Sequence, residues 1–209
     1  MMRTTPSHAG DWCTHFATAV EAANATSDPE TMIRALLGPM LEFAGDRDAW
    51  QRPGSLKPGE RQYYVSGCFV VTPDKAWHML IGNTGFPAEQ RRLMIPIDGG
   101  HPARVLETRQ ALLLANTDEH GDFKQYLKSS RMGSSMYAPM IWQGRFIGQI
   151  IIAAQARNTF RTQDLEMFRM LAGFASGLWM ALDGPNWLAR EYPSTDGFKV
   201  GQSGFAPQS

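Results

Sequence analysis

The chain has 209 residues, which is enough for one domain with a sizeable core. Its 20 basic and 20 acidic side chains give zero net charge, which removes the main electrostatic reason to expect nucleic acid or an anionic membrane as partner. The start of the chain lacks the apolar segment of a signal peptide, and no apolar run reaches the ~18 residues of a membrane span. The two cysteines, Cys13 and Cys68, make no disulfide framework. We therefore expect a cytoplasmic protein that binds neither nucleic acid nor membranes.

The first part of the chain predicts helices. Residues 1–26 suggest a flexible leader, over residues 1–10, and a short helix from Cys13 to Asn24. Ser27-Asp28-Pro29 is a strong helix start, because Ser or Asp caps a helix and Pro suits its first turn. The apolar face that follows is interrupted at Gly38-Pro39, where we predict a break. Residues 27–183 are predicted to form the main domain.

After the Pro- and Gly-rich loop from Asp46 to Glu60, the pattern changes to strands. Two hairpins and two single strands are predicted around a central helix from Gly99 to Arg109. The strands are Tyr63–Thr72, Trp77–Ile81, Leu93–Ile97, Ala111–Ala115, Ser135–Trp142 and Phe146–Ala154. Because hairpins dominate, the sheet is expected to be largely antiparallel and the class α+β.

The segment from Asn116 to Gly133 is long, polar and rich in aromatics, and predicts a loop with a short helix. A closing helix from Thr162 to Asp183 has an apolar face. Terminal helices on one sheet face, with the central helix and this long loop on the other, would explain the unbroken apolar run Ile150–Ala154. The tail, residues 184–209, is Gly-, Pro- and Ser-rich. Its aromatics are expected to dock on the domain or on a partner.

Two polar residues allow both a structural and a ligand-binding interpretation. Gln149 lies within an apolar strand, and a buried amide without partners costs about 1–3 kcal/mol. It therefore either hydrogen-bonds inside the sheet or anchors a ligand at a pocket wall. His101 follows Gly99-Gly100 at the start of the central helix, where it either fixes the turn or binds a ligand near free N–H groups.

Other candidates lie along the lid and the strands. Phe123, Tyr126 and Leu127 have helical spacing that would let them close over a cavity, although such a stripe also fits ordinary core. Ser135 and Tyr137 open the fifth strand beside the lid. Trp77 and Met79, with Met94, Met132 and Met136, are predicted to make an adaptable apolar lining. His120 and its neighbouring acids lack metal-ligand spacing, so no metal site is predicted. No Ser-His-Asp or Cys-His arrangement emerges, so no catalytic residue is assigned.

The chain resembles the GAF domain, a small-molecule sensory fold related to PAS, from about Met32 to Leu182. Three segments carry the resemblance: IPIDGGHPARVLETRQALLLANTDE, SSMYAPMIWQGRFIGQIII and TFRTQDLEMFRMLAGFASGLWMAL. The resemblance implies a pocket on the sheet face away from the terminal helices, with residues 99–133 as its lid. It also implies a homodimer through the terminal helices. Flanks without an output module suggest a stand-alone GAF protein.

Family members that bind known cofactors have characteristic residues that this sequence lacks. The Asn-Lys-Phe-Asp-Glu set of cyclic-nucleotide binders is missing. The approach to the fifth strand, KSSRMG, has no haem-ligating histidine. Neither Cys13 nor Cys68 lies in the lid, where bilin attaches, and the clustered cysteines of free methionine sulfoxide reductases are absent. These departures argue against haem, bilin and cyclic nucleotide, so the cofactor remains unknown.

We therefore expect a homodimeric sensor that binds an unidentified small, partly apolar molecule and signals to a protein partner. The expected ligand-binding residues are Trp77, Met79, His101, His120, Phe123, Tyr126, Leu127, Ser135, Tyr137 and Gln149. One alternative is a redox or hydrolytic enzyme on the same fold that uses His101, His120 or Cys68. Another is a pocketless interaction module whose tail, from Trp187 to Phe205, grips a partner.

Overall fold

A computed structural model describes residues 8–129, 131–201, 204 and 205. Most of the predicted leader lies outside the described residues, and its last three residues already belong to the first helix. The helices are α1 His8–Asn24, α2 Pro29–Leu37, α3 Met40–Phe43, α4 Gly100–Thr108, α5 Thr162–Ala181 and α6 Gly184–Glu191. The strands are β1 Tyr64–Val71, β2 Trp77–Thr84, β3 Arg92–Pro96, β4 Leu112–Leu114, β5 Ser134–Trp142, β6 Arg145–Ala154 and β7 Gly197–Lys199.

The strands form one sheet in the order β4-β5-β6-β1-β2-β3-β7. Every neighbouring pair is antiparallel except β3 and β7, which run parallel. Both predicted hairpins are confirmed, as is the α+β class. No helix among the described residues is both long enough and apolar enough to cross a membrane.

Helices α2 and α5 cover one face of the sheet, and α1 packs against both of them. Asp28 caps α2 by accepting a hydrogen bond of 2.8 Å from the Thr31 N–H, as the Ser-Asp-Pro signal predicts. Helix α2 ends at Leu37 and α3 begins at Met40, so the break at Gly38-Pro39 is confirmed. The large core under these helices contains residues from α2, α5 and the alternate positions of the sheet that point toward them.

A buried ion pair ties α2 to the far edge of the sheet. The two terminal guanidinium nitrogens of Arg92 on β3, Nη1 and Nη2, donate to the Glu30 carboxylate, at 2.7 and 2.6 Å. The Gly82 N–H of β2 donates to the same carboxylate at 3.2 Å. Burial raises the pKa of Glu30, but the hydrogen bonds and charge of Arg92, together with the Gly82 N–H and the charge of Arg91, outweigh it and hold that pKa below its usual value.

Helix α4 and the long segment before β5 cover the opposite face, in the arrangement that the sequence predicts. Along β6, Ile150, Ile152 and Ala154 join the helix-side core, while Ile151 and Ala153 join clusters under the lid. Because both faces are covered, the strand has no solvent side and needs no polar alternation. The unbroken apolar run is explained in this way.

The tail adds a helix and a strand that the sequence did not reveal. Trp187 of α6 packs edge-on against Trp179 of α5, with ring centroids 5.8 Å apart. Strand β7 then pairs with β3, and the Phe205 N–H donates to the Gln125 carbonyl at 2.7 Å. The tail aromatics therefore dock on their own domain.

Candidate functional site

A cavity of about 50 Å³ lies between the sheet and the part of the lid formed by residues 123–127 and Met132. Its floor comes from alternate strand positions: the pairs Ser135↔Ala153 and Tyr137↔Ile151 place four side chains of β5 and β6 on the lid side. The remaining lining residues are Val65, Phe69, Phe86, Leu93, Ile95, Pro102, Phe123, Lys124, Gln125, Tyr126, Leu127 and Met132. Most of the lining is apolar or aromatic, which is typical of small-molecule sites.

Residues from distant parts of the chain hydrogen-bond to the lid backbone. The fully buried amide of Gln90 donates to the Tyr126 carbonyl at 2.8 Å and accepts from the Lys128 N–H at 2.7 Å. Gln90 thus bonds the lid as a neighbouring strand would. The Gln125 carbonyl is taken by the tail through Phe205, and Gln125 Nε2 donates to the Leu127 carbonyl at 3.2 Å.

The short helix predicted within residues 116–133 is present at Thr117–Glu119, as one turn of 3-10 helix. Residues 123–127 form no helix, and Gln125 makes an isolated bridge with Phe205, although Phe123, Tyr126 and Leu127 have helical spacing. A helix would use the backbone groups of this segment internally, whereas here Gln90 and Phe205 occupy them. All three predicted side chains still lie at the cavity, since each lines it from the lid.

Tyr126 lies against the start of α4. A Cβ atom at Gly100, whose φ is +55°, would lie 2.7 Å from the Tyr126 ring. Glycine at this position therefore allows both the left-handed backbone and the close approach of the lid. Burial raises the pKa of Tyr126 and of Tyr137 to about 12, so both phenols stay protonated and uncharged at neutral pH.

His101 is buried beside the cavity without lining it. Its ring centroid lies 5.4 Å from that of Phe123 and 6.3 Å from that of Tyr137, both of which line the cavity. His101 Nε2 has no hydrogen-bond partner among the described residues, and Asp122 Oδ1 lies 3.8 Å away. Burial lowers the pKa of His101, against the opposing influence of Asp122, so the ring is uncharged at neutral pH. The ring of His120 lies 6.3 Å from it.

Gln149 makes a structural bond. Its Nε2 donates to the Pro102 carbonyl at 3.0 Å, which ties β6 to the first turn of α4. The Gln149 Oε1 is buried and has no partner in the described part of the chain. Gln149 itself does not line the cavity, although Pro102 does. A contact between Gln149 and a ligand remains a prediction.

The structure places Trp77 and Met79 on the other side of the sheet, so the predicted lining is corrected here. Both belong to the core under the terminal helices, together with Met94 and Met136, and none of the four lines the cavity. Neighbouring strand residues point to opposite faces, and on β2 Leu80 is the one that lies under the lid. Met132 does line the cavity, from the lid.

Sequence reasoning missed several lining residues and the residue that holds the lid. Phe69, Leu93 and Ile95 line the cavity from β1 and β3. They alternate with residues that face the helices, so the period-2 pattern of a strand could have predicted them. Nothing in the sequence marks Gln90, because its role depends on the fold, which brings it next to lid residues that are far away in sequence.

Neither cysteine provides a thiol at this site. Cys68 faces the helices, where its Sγ lies 3.4 Å from Met140 Sδ, and burial raises the pKa of its thiol. Cys13 is exposed on α1. Of the acids near His120, Asp118 pairs with Lys57 at 2.9 Å and with Arg157 at 3.0 Å, whereas Asp122 stays beside His101.

Solved structures share this fold at low sequence identity. The GAF domain of a phosphoenolpyruvate-protein phosphotransferase from Coxiella burnetii has 16% identity and a TM-score of 0.69, over 87% of this chain and 99% of that one. Free methionine-R-sulfoxide reductase from Neisseria meningitidis, solved in complex with its substrate, has 14% identity and a TM-score of 0.67, over 88% and 98% of the two chains. At such identities the likeness concerns the fold alone.

A search of curated protein sequences gives no match. A family model described as GAF domain matches residues 44–178, which is more than half of the chain's 209 residues. The matched range runs from the end of α3 through most of α5, so it contains β1 to β6, α4 and the lid. By this match and by the shared fold, the chain belongs to the GAF domain family.

Proposed function

We propose that this GAF protein is a sensor that binds a small, partly apolar molecule between the sheet and the lid and reports its presence to a partner protein. The observation that carries the proposal is the lining itself: an apolar cavity whose cover is attached by hydrogen bonds to its backbone and by two apolar clusters that are smaller than the core on the helix side. A cover of this kind opens at lower cost than a helix that buries large side chains.

The ligand contacts in this proposal are Phe123, Tyr126 and Leu127 from the lid with Ser135 and Tyr137 from β5. His101 and Gln149 form a layer behind them, each with one buried polar atom that has no partner among the described residues. His120 lies at the edge of this layer, beside His101. A ligand that displaces the lid shifts the population of lid states only by its difference in affinity for them.

The signal has a defined route out of the site. The Gln125 carbonyl on the lid accepts a hydrogen bond from the Phe205 N–H of the tail, and β7 of the tail pairs with β3 as the last strand of the sheet. A displacement of the lid therefore changes the hydrogen bond between the Gln125 carbonyl and Phe205 of the tail. We propose that a cytoplasmic partner protein reads this change.

We further propose a homodimer through the terminal helices. Met170 and Phe174 of α5 are 56% and 45% exposed, which is unusual for large apolar side chains in a row on one helix. They flank a shallow groove with Gly173, Gly177 and Leu178. Phe174 also meets Phe16 of α1 edge-on, with ring centroids 5.0 Å apart, so the apolar surface continues onto α1.

The enzyme alternative is favoured by one observation, the similarity in fold to a reductase solved with its substrate. A thiol mechanism would need a cysteine at the cavity, whereas Cys68 lies on the opposite face of the sheet. An enzyme here would depend on His101 and His120 instead. Turnover of a small metabolite that survives in the His101→Ala/His120→Ala double variant would refute this assignment.

Native mass spectrometry of the freshly purified protein tests the sensor proposal. We expect a dimer with an additional mass per chain, and loss of that mass in Ala153→Phe, which fills the cavity from its floor. Ala189→Phe, at an exposed position of α6, is the matched control and should keep the mass. Retention of the mass by Ala153→Phe would place the ligand elsewhere and refute the proposed pocket.

A further inference from the structure

The polar groups of the cavity are few, and one of them is unused. Ser135 is 2% exposed and lines the cavity, and its Oγ makes no hydrogen bond of normal geometry in the described part of the chain. Ser135 lies near the Tyr137 hydroxyl, and its influence opposes the rise in the pKa of Tyr137 that burial causes. A buried hydroxyl without a proper partner costs free energy, which a bound ligand would recover by hydrogen bonding to it.

The cavity offers no charge to compensate a charged ligand. Among its described lining residues Lys124 is the one with an ionised side chain, and Lys124 is exposed. Arg131 lies against the Phe123 ring at 4.7 Å, but its guanidinium donates to the Phe123 and Thr117 carbonyls and pairs with Asp118. Burying an unpaired carboxylate or ammonium is much more costly than burying a neutral group.

The shape of the lining favours a ring. Five aromatic side chains, Phe69, Phe86, Phe123, Tyr126 and Tyr137, approach the cavity from the strands, from the loop after β2 and from the lid. Aromatic rings pack against one another in offset or edge-to-face arrangements. The volume of about 50 Å³ matches only a few water molecules at about 10–15 Å³ each. A ring therefore enters with an outward shift of the lid.

We infer that the ligand is an uncharged, single-ring aromatic molecule with one hydroxyl or carbonyl group that hydrogen-bonds to Ser135. This inference rests on the proposed function, because it assigns the chemical class of the molecule that the sheet-and-lid cavity takes. It follows from the unpartnered Ser135 hydroxyl, the aromatic walls and the lack of a buried countercharge.

Three ring compounds that differ mainly in charge test the inference: benzyl alcohol, benzoate and benzylamine. Titration calorimetry at pH 7 on protein shown by native mass spectrometry to be free of bound mass gives the three affinities. We expect benzyl alcohol to bind at least tenfold more tightly than either ion. Ser135→Ala should weaken benzyl alcohol about 2- to 12-fold, as expected for one neutral hydrogen bond, and should leave toluene unchanged. Ser194→Ala, in the tail, is the control.

The outcomes separate the ligand class from the pocket. Benzoate or benzylamine binding as tightly as benzyl alcohol, in a manner abolished by Ala153→Phe, overturns the inferred class and leaves the pocket standing. Failure of benzyl alcohol to bind at millimolar concentration also overturns the class, and the native mass spectrum of Ala153→Phe then decides on the proposed function separately. Equal affinity of wild type and Ala153→Phe for benzyl alcohol would overturn the class by placing the ring outside this cavity.

Discussion

The two faces of the sheet are covered in different ways. On the helix face, α5 buries Phe168, Leu171 and Trp179 almost completely against the strands, in one continuous core. On the lid face, apolar residues surround a cavity, and the cover is attached through Gln90 and Phe205. Burial of large apolar side chains supplies most folding free energy, whereas a single hydrogen bond adds about 0.5–1.5 kcal/mol. We therefore expect the helix face to contribute most of the stability of the fold, and the lid face to open for the proposed ligand.

Truncation of one aromatic on each face gives the largest expected contrast. Phe168→Ala should lower the free energy of unfolding by about 3–5 kcal/mol, because it leaves a cavity in a tightly packed core. Phe123→Ala removes a half-buried lid residue and should cost distinctly less while weakening ligand binding. Urea unfolding of both variants measures the difference. Equal losses would mean that the lid is as important to stability as the core.

The ion pair between Glu30 and Arg92 gives the next largest effect. Glu30→Gln should cost about 3 kcal/mol at pH 7, because the buried Arg92 loses its counterion. Since the pKa of Glu30 is lowered in the folded state, the wild type has this stability above the ordinary pKa of a glutamate and loses it as the pH falls through the lowered value.

Urea unfolding between pH 7 and pH 3 measures that dependence. The curve of the Glu30→Gln variant should be flatter than that of the wild type. Arg34→Gln is a useful comparison, because Arg34 is a more exposed partner of the same carboxylate and should have little effect. Parallel curves for Glu30→Gln and wild type would contradict the linkage.

Gln90→Ala should act on the lid more than on the fold. The loss of two bonds to the lid backbone should cost about 1–3 kcal/mol and should accelerate hydrogen exchange at the Lys128 amide, which loses its acceptor. Gln110→Ala, at an exposed position after α4, is the control. Unchanged exchange at Lys128 would show that Gln90 does not hold the lid.

Phe174→Glu should have the smallest effect on stability and a large effect on assembly. An exposed substitution typically changes stability by about 0.5 kcal/mol or less, with a small addition here from the contact with Phe16. We expect the dimer to dissociate in analytical ultracentrifugation. Trp142→Glu, at another exposed aromatic, should remain dimeric. A dimer that persists in Phe174→Glu would exclude this face as the interface.

Local signals in the sequence were enough for most of the fold. The cap at Asp28 and the break at Gly38-Pro39 depend on neighbouring residues, so the sequence could predict them. The hairpins and the closing helix follow from their periodicity and turns. The family resemblance added the side of the sheet on which a pocket should lie.

The site was less predictable because it depends on contacts between distant residues. In β2 the consecutive residues Met79, Leu80 and Ile81 are all apolar, so composition does not say which face each occupies. The prediction therefore placed Trp77 and Met79 under the lid, although they face the helices. The conformation of residues 123–128 was not predictable, because Gln90 and Phe205, which bond the backbone there, are far away in sequence. The strand β7 was hidden for the same reason, since it exists through pairing with β3.

Hydrogen–deuterium exchange with and without saturating benzyl alcohol tests most directly whether ligands bind between sheet and lid. Peptides that contain Phe123–Leu127 should become protected, and those from β5 at Ser135 and Tyr137 should follow. Peptides from α5 should not change, because that helix lies on the opposite face. Protection of α5 without protection of the lid would contradict the account and move the binding site to the helix face.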